Sequence, residues 1–528
     1  MAATDTTPPA PPAPAPSAGY RSTLGPGRDG FGRLLHAEWT KLRTVRRWVL
    51  TLLAAVAATL IVSVLAAGGI HNGGGDKPPP TYNDRTVNDG FRFIHQALTG
   101  DGTITARITG VRPVREVGPG FDHPVSAPWA KGGLMVKTST TPGSDYAAVM
   151  LTERHGVRFQ AHFVDDTAGS STSGDDARWL RLVRTGDTVT GYESADGTTW
   201  HRVGTTHLSG LPQTVEVGLF ATSPEGLEIS RSFGSTSVTG GPTRATAGFE
   251  KVAVQGTTAG AWQTHDIGQE RRPGPPPPDM PPFPDNESTQ NGDAFTITGS
   301  GDVGPMDIDA DAVRQSLSGA LIGLIPIAAL GVLFITAEFK KGMIRTSFLA
   351  SPRRGRVLAA KALVLGAATF VAGLLAAVPA FLLGRSEWKR NGFRPPVYPD
   401  LGLGDGPVLR AVVGTGLVLA LVAVLALSVG VLVRNTAAAV AIVVVVLVLP
   451  QMLMAGLPVG AARFLSDYTP IAGFSIQSTT PNYPQVDGSC LPEDGCHTYA
   501  PWTGPGVLLA YTAVLFALAV WRLRRRSA

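Results

Sequence analysis

Six runs of the chain are almost unbroken apolar sequence: 48–67, 317–337, 362–384, 409–433, 436–458 and 504–522. A helix rises about 1.5 Å per residue, so each run can cover about 30 Å of hydrocarbon. A helix in a soluble core seldom needs so long a stretch without a charge. The pattern predicts an α-helical polytopic membrane protein with six transmembrane helices. Ionisable residues are expected to be absent from inside the spans, which disfavours a proton-coupled pump. Pro326, Pro379 and Pro450 are candidate kinks, and Gly319-x-x-x-Gly323 permits close helix contact.

Between the first and second runs the period changes. In 102–111, Ile104, Ala106 and Ile108 alternate with Thr103, Thr105, Arg107 and Thr109, which is the period of a strand. Further strand-like stretches flank His155-Gly156 and Thr185-Gly186-Asp187, and Ala195-Asp196-Gly197 leads to Trp200. Turn signals every 8–12 residues without a helical pattern predict an all-β antiparallel sandwich over 68–270, inserted between the first and second spans. A Pro-rich linker and juxtamembrane segment is expected over 271–316, with a short strand-like piece at 294–297. The acidic residues Asp307, Asp309 and Asp311 before the second span read as solvated, with a calcium site as the lesser alternative.

Ahead of the first run, 1–27 is Pro/Ala-rich and predicts an extended, disordered tail. Over 28–47 apolar residues recur at Phe31, Leu34, Leu35, Trp39, Leu42 and Val45, with Arg33, Lys41, Arg43, Arg46 and Arg47 around them. That spacing predicts an amphipathic helix lying on the bilayer surface, with Leu35 and Trp39 on its apolar side and Lys41 toward headgroups. The first run is too long for a usual signal core and is expected to stay as an anchor.

Charge sets the orientation. The segments before 48, from 338 to 361, around Arg434 and after 521 carry 19 Lys and Arg against four acids. The segment 68–316 carries 20 basic and 29 acidic residues. Short cytoplasmic loops retain cations, so both termini are expected in the cytoplasm of a multi-pass plasma-membrane protein and the β region outside. Arg385, Lys389, Arg390 and Arg394 fall on the outer side and argue weakly the other way. The formal net charge of +5 averages two opposed faces and gives no support for nucleic-acid binding. The two cysteines, Cys490 and Cys496, share the outer loop 459–503, where an oxidising compartment favours a disulfide over two unpaired thiols.

Soluble catalytic signatures are missing. The dipeptide Gly-Lys never occurs, so there is no P-loop, and there is no His-Glu-x-x-His or nucleophile-elbow motif. No enzymatic activity and no cofactor are expected of this chain. The run 194–200 resembles a sialidase Asp-box hairpin, a structural motif, one residue short.

One loop is more informative. It reads Glu338-Phe339-Lys340-Lys341-Gly342-Met343-Ile344-Arg345-Thr346-Ser347-Phe348, followed by Ser351-Pro352-Arg353-Arg354. This stretch resembles the loop between the second and third spans of type-2 ABC transporter permeases of the exporter family. The segment Ala37-Glu38-Trp39-Thr40-Lys41-Leu42 is similar to the N-terminal interfacial helix of the same permeases. The resemblance covers the membrane half of the chain. It implies a coupling helix in which Met343, Ile344 and Phe348 insert into a separate ATPase subunit, beside Glu338, Phe339, Lys340 and Arg345. It also implies a homo- or heterodimer of permease subunits. Glu338, at the membrane edge, is expected to pair with a basic residue of the interfacial helix. The topological alternative is that these cations only fix orientation.

The β region departs from a minimal permease. Trp179-Leu180-Arg181-Leu182-Val183-Arg184 with Gly191-Tyr192-Glu193-Ser194 and Trp200 resembles concanavalin-like jelly-roll modules. Members of that group often bind carbohydrate, so Trp129, Tyr146 and Trp262 are candidate ligand contacts, with burial in the core as the alternative. The leading expectation is a permease exporting a hydrophobic or amphipathic substrate. The other is a membrane-anchored surface carbohydrate-binding or envelope-sensing protein.

Overall fold

The computed structural model describes residues 30–69, 79–115, 127–232, 235–241, 243–268, 285–306, 311–340, 353–481, 483–486, 491 and 500–525. The tail 1–27 and the acids Asp307 and Asp309 lie outside the described residues.

The helices are α1 (Phe31–Thr44), α2 (Arg46–Gly69), α3 (Ala312–Leu317), α4 (Ala320–Lys340), α5 (Arg354–Arg390), α6 (Gly406–Val433), α7 (Thr436–Met454), α8 (Val459–Tyr468) and α9 (Thr503–Arg525). Among the described residues six helical stretches are long and apolar enough to cross a bilayer: α2, α3 with α4, α5, α6, α7 and α9. The central helix is α6, which packs against α4, α5 and α9, while α2 packs on α4 and α5. Leu50, Leu53, Ile61 and Leu65 of α2, Leu375 of α5 and Met452 of α7 face outward and exposed. A belt of this kind would be an aggregation liability in water but matches acyl chains. At the α2–α4 contact Gly319 donates its backbone N–H to Ser63 Oγ at 3.2 Å. A Cβ at Gly323 would collide with Thr59, so the small residues allow the close approach expected of them.

Two elements differ from the apolar runs. The helix α5 has 37 residues, about 55 Å at the usual rise, and so exceeds a bilayer at both ends. Its last two turns carry Arg385, Lys389 and Arg390, three of the four cations expected on the outer side. Arg385 and Lys389 pair with Asp400 at 2.7 and 2.6 Å, and Arg390 pairs with Glu387 at 2.9 Å. The apparent exception to the charge rule is therefore partly neutralised locally. The helix α7 stops at Met454, and α8 is a separate short helix.

The inserted region is a large antiparallel sheet of twelve strands, wrapped nearly into a barrel. Two 25-residue strands, Phe91–Arg115 and Thr243–Ile267, run side by side along its length. On its other edge Phe91–Arg115 pairs first with Thr214–Thr222 and then, beyond a corner, with Arg178–Thr185. Gly100, at φ +72°, and Gly102 make that corner; a Cβ on Gly102 would meet Leu98 and the Gln255 carbonyl. The strand thus passes from one leaf to the other, and the leaves enclose Ile94, Leu98, Ile104, Leu134, Val149, Leu180 and Val217. Strands Glu287–Asn291 and Ala294–Ser300 extend the sheet from Thr243–Ile267. Part of the segment expected to be linker after 271 is thus sheet; the strand-like piece at 294–297 lies in Ala294–Ser300, where Phe295 and Ile297 complete the core.

A second, three-stranded sheet joins Thr81–Tyr82, Arg85–Asp89 and Val303–Pro305. It covers the outer face of strands Lys131–Lys137 and Tyr146–Thr152, every residue of which is buried. Beneath it lies a separate core of Val87, Phe91, Phe93, Met135, Tyr146, Met150, Phe163 and Phe220.

Candidate functional site

At the end of the bundle away from the sheet, three helices bring four charged side chains together. Lys361 of α5 donates to Glu38 Oε2 of α1 at 2.7 Å and to Glu338 Oε1 of α4 at 2.6 Å. Lys41 of α1 donates to Glu38 Oε1 at 2.8 Å and to Glu338 Oε1 at 3.1 Å. Glu38, Glu338 and Lys361 are buried, whereas the Lys41 side chain is 38% exposed. The Lys361 ammonium also sits 4.9 Å from the Phe334 ring centroid, and that ring meets Trp48 edge-on. Burial disfavours the Lys41 ammonium. Its bond to Glu38 and the charge of Glu338 outweigh that and hold its pKa above the ordinary lysine value.

Each charge has a local reason to be there. In α1 the i, i+3 spacing puts Glu38 and Lys41 on one face, and Leu42 beside them packs into the bundle core. In α4, Glu338 closes an apolar helix and lies one residue before Phe339, which packs against the same core. Lys361 lies two turns inside α5, and its neighbours Val357, Leu358 and Ala360 are buried with it. Two cations and two anions balance, and each ammonium bridges both carboxylates. Removing one partner would leave an uncompensated buried charge.

The expected pairing of Glu338 with a basic residue of the N-terminal helix is present as Glu338–Lys41. Lys361, counted at the end of the cationic loop 338–361, was not singled out as a partner. Arg410, in the second turn of α6 and within the run 409–433, corrects the expectation that the spans hold no ionisable group; it donates to the Ser478 carbonyl. Phe339 lies 5.3 Å under the Arg434 guanidinium, and Lys340 is exposed at the end of α4. Met343, Ile344, Arg345 and Phe348 lie outside the described residues, as do Cys490 and Cys496. Leu35 packs partly buried on the bundle, and Trp39, one turn further along the same side of α1, is exposed.

Two of the three aromatic candidates on the sheet are corrected by their burial. Trp129 is 3% exposed, stacked on His155 at 4.0 Å and covered by Arg158. Tyr146 is fully buried under the small sheet. Neither can stack on a sugar. Trp262 is partly buried, with its ring against Phe295 at 5.3 Å. The 194–200 turn is structural: Asp196 accepts from the Thr198 and Thr199 N–H groups at 2.8 Å each, which hold its carboxyl well below the usual range.

At the other end of the bundle, a cavity of about 570 Å³ lies between the small sheet and the helix ends. Tyr82, Asp84, Arg85, His162, Thr479 and Tyr483 are among its polar lining residues, and several prolines contribute its apolar wall. Tyr82 bonds His162 at 2.8 Å and Asp145 at 3.1 Å, and burial with the Asp145 charge pushes its hydroxyl up to about 12. Among the described residues no group of three His, Cys, Asp or Glu could hold a metal ion.

No protein family matches the sequence, and no curated protein matches it. Solved structures match parts of it. A functionally unknown protein from Saccharomyces cerevisiae is 15% identical over 32% of this chain and 74% of its own, with a TM-score of 0.20. Scytalido-glutamic peptidase, with a peptide-based transition-state analog, is 10% identical over 40% of this chain and 98% of its own, at 0.23. A GH43 protein from Bacillus licheniformis is 16% identical over 23% and 24%, at 0.17. At such TM-scores these likenesses carry no argument about fold or activity.

Proposed function

We propose that this chain is the membrane-spanning permease subunit of an ABC transporter, exporting a hydrophobic or amphipathic substrate with ATP hydrolysed by a separate ATPase subunit. In this reading the helices cross the plasma membrane six times, both termini are cytoplasmic and the sheet lies outside. The permease works as a homo- or heterodimer.

The observation that carries the reading is the four-charge cluster. The segment 341–352, whose sequence resembles a permease coupling loop, leaves α4 directly after Glu338-Phe339-Lys340 and returns into α5 seven residues before Lys361. Both of its anchor points are tied by Glu338 and Lys361 to α1. A push on that segment by a closing ATPase therefore reaches α1, α4 and α5 together. Such a push favours one transporter state only by the difference in binding free energy between the two states. The cavity at the opposite end, with tyrosines and prolines in its wall, suits an amphipathic cargo on its way out.

The reading as a surface glycan binder leaned on exposed aromatics, and the burial of Trp129 and Tyr146 removes two of the three. The deciding experiment is co-purification of the full chain with its ATPase, wild type against the Ile344→Asp/Phe348→Asp double variant. Loss of the ATPase from the variant is expected; equal recovery would overturn the coupling assignment.

A further inference from the structure

Strand Lys131–Lys137 is buried on both faces, and alternation puts Lys137 on the side of Met135, in the aromatic core under the small sheet. Its ammonium lies 5.4–5.8 Å from the ring centroids of Phe163, Tyr146 and Phe91. The carboxylate it meets is Asp89, the last residue of strand Arg85–Asp89, with Nζ 2.8 Å from Oδ2. Both side chains are 0% exposed. Lysine and aspartate are almost never so completely sealed unless the pairing is fully satisfied.

As an ion pair, this one is not fully satisfied. Asp89 Oδ2 accepts from Lys137 and from the Gly143 N–H at 2.7 Å. Asp89 Oδ1, equally buried, has no hydrogen-bond partner. Lys137 Nζ makes one other bond, to the Ser144 carbonyl at 2.7 Å. A buried carboxylate oxygen without a donor is costly. We propose that Lys137 and Asp89 are joined by an isopeptide bond, formed by attack of Nζ on Asp89 Cγ with loss of Oδ1 as water.

The atoms balance. A proton crosses the 2.8 Å bond from the ammonium to the carboxylate, leaving an amine and a carboxylic acid. Nζ adds to Cγ, the Cγ–Oδ1 bond breaks, and Oδ1 leaves with two protons as one water. No oxidant, reductant or cofactor is required. Burial favours the neutral pair, lowering the Lys137 pKa and raising that of Asp89. In the product every remaining polar atom keeps a partner. The amide oxygen, formerly Oδ2, still accepts from Gly143, and the amide N–H still donates to Ser144. The orphaned atom is the one that leaves.

Lys131 provides a contrast on the same strand. Its Nζ pairs with Asp302 at 2.8 Å, but Asp302 is 14% exposed and that Oδ1 also accepts from the Val303 N–H. That pair has a route to solvent and leaves no carboxylate oxygen sealed without a donor. The bond matters because the region 68–316 has no cysteine. An amide would tie the first strands of the domain to its central strand whatever the redox state.

The test is tryptic peptide mass spectrometry of the denatured full-length protein. With the bond, cleavage after Lys137 is blocked, and peptide 86–92 is recovered attached to 132–154, one water lighter than their sum. In the Lys137→Arg variant the two are expected apart. Recovery of unlinked 86–92 and 132–137 as the only forms from wild type would overturn the proposal. So would a linked 86–92 that survives Lys137→Arg.

Discussion

Two of the places where the chain buries opposite charges against each other are built differently. In the helix bundle, Lys361 and Lys41 share Glu38 and Glu338, and Lys41 reaches solvent. Every member has two partners, so one contact can open while another holds. In the sheet domain Asp89 and Lys137 have only each other, two backbone groups and no water-facing side. The first arrangement suits helices that shift against one another, and the second suits a joint that stays closed. Burial alone does not distinguish them; the number of alternative partners does.

The largest effect is expected from Lys361→Met. It strips the bundle of its buried cation and leaves two carboxylates to Lys41, at about 3–5 kcal/mol. Thermal unfolding of the detergent-solubilised chain should show early loss of the helical signal, and adding Glu338→Gln should recover part of it. Unchanged unfolding of Lys361→Met would mean that the cluster is not holding the three helices. A smaller effect is expected from Lys41→Ala, because solvent already competes for that ammonium; about 1 kcal/mol or less is the scale for exposed pairs. If Lys41→Ala proved as damaging as Lys361→Met, the distinction between open and sealed partners would fail.

The smallest effect lies in the sheet domain. Burial and the neighbouring Arg158 lower the pKa of His155, which stacks on Trp129. The unfolded chain therefore binds this proton more readily than the folded one. The stabilisation is complete above about 6.5, the ordinary imidazole value, and declines as pH falls toward the lowered folded value. Protease resistance of the domain should weaken modestly on acidification, and His155→Phe should flatten that dependence.

The spans were legible because an uninterrupted apolar run has few other uses. The strands around 102–111 and the hairpin turns were legible from alternation and glycine placement. Lys361 was not, because it closes an Arg-rich stretch and reads as one more cytoplasmic cation. Its partners stand at positions 38 and 338, and only the assembled bundle brings them together. The burial of Tyr146 was hidden for a related reason. A strand exposed on one face and a strand covered on both carry similar residues, and the covering strands Arg85–Asp89 and Val303–Pro305 come from the two ends of the domain. The pieces at 287–300 were hidden by the neighbouring proline run, although Phe295 and Ile297 already alternate.

Those same covering strands have a practical consequence. Because Arg85–Asp89 and Val303–Pro305 lie hydrogen-bonded side by side, the polypeptide leaves the domain where it arrived. A module stitched in through neighbouring strands can be excised, or exchanged for another, by splicing α2 to α3 through a short turn. Arg231, which donates to the Met454 and Leu457 carbonyls, and Gln485, which donates to that of Val164, still fasten passenger to scaffold, so an exchange has to replace those bonds.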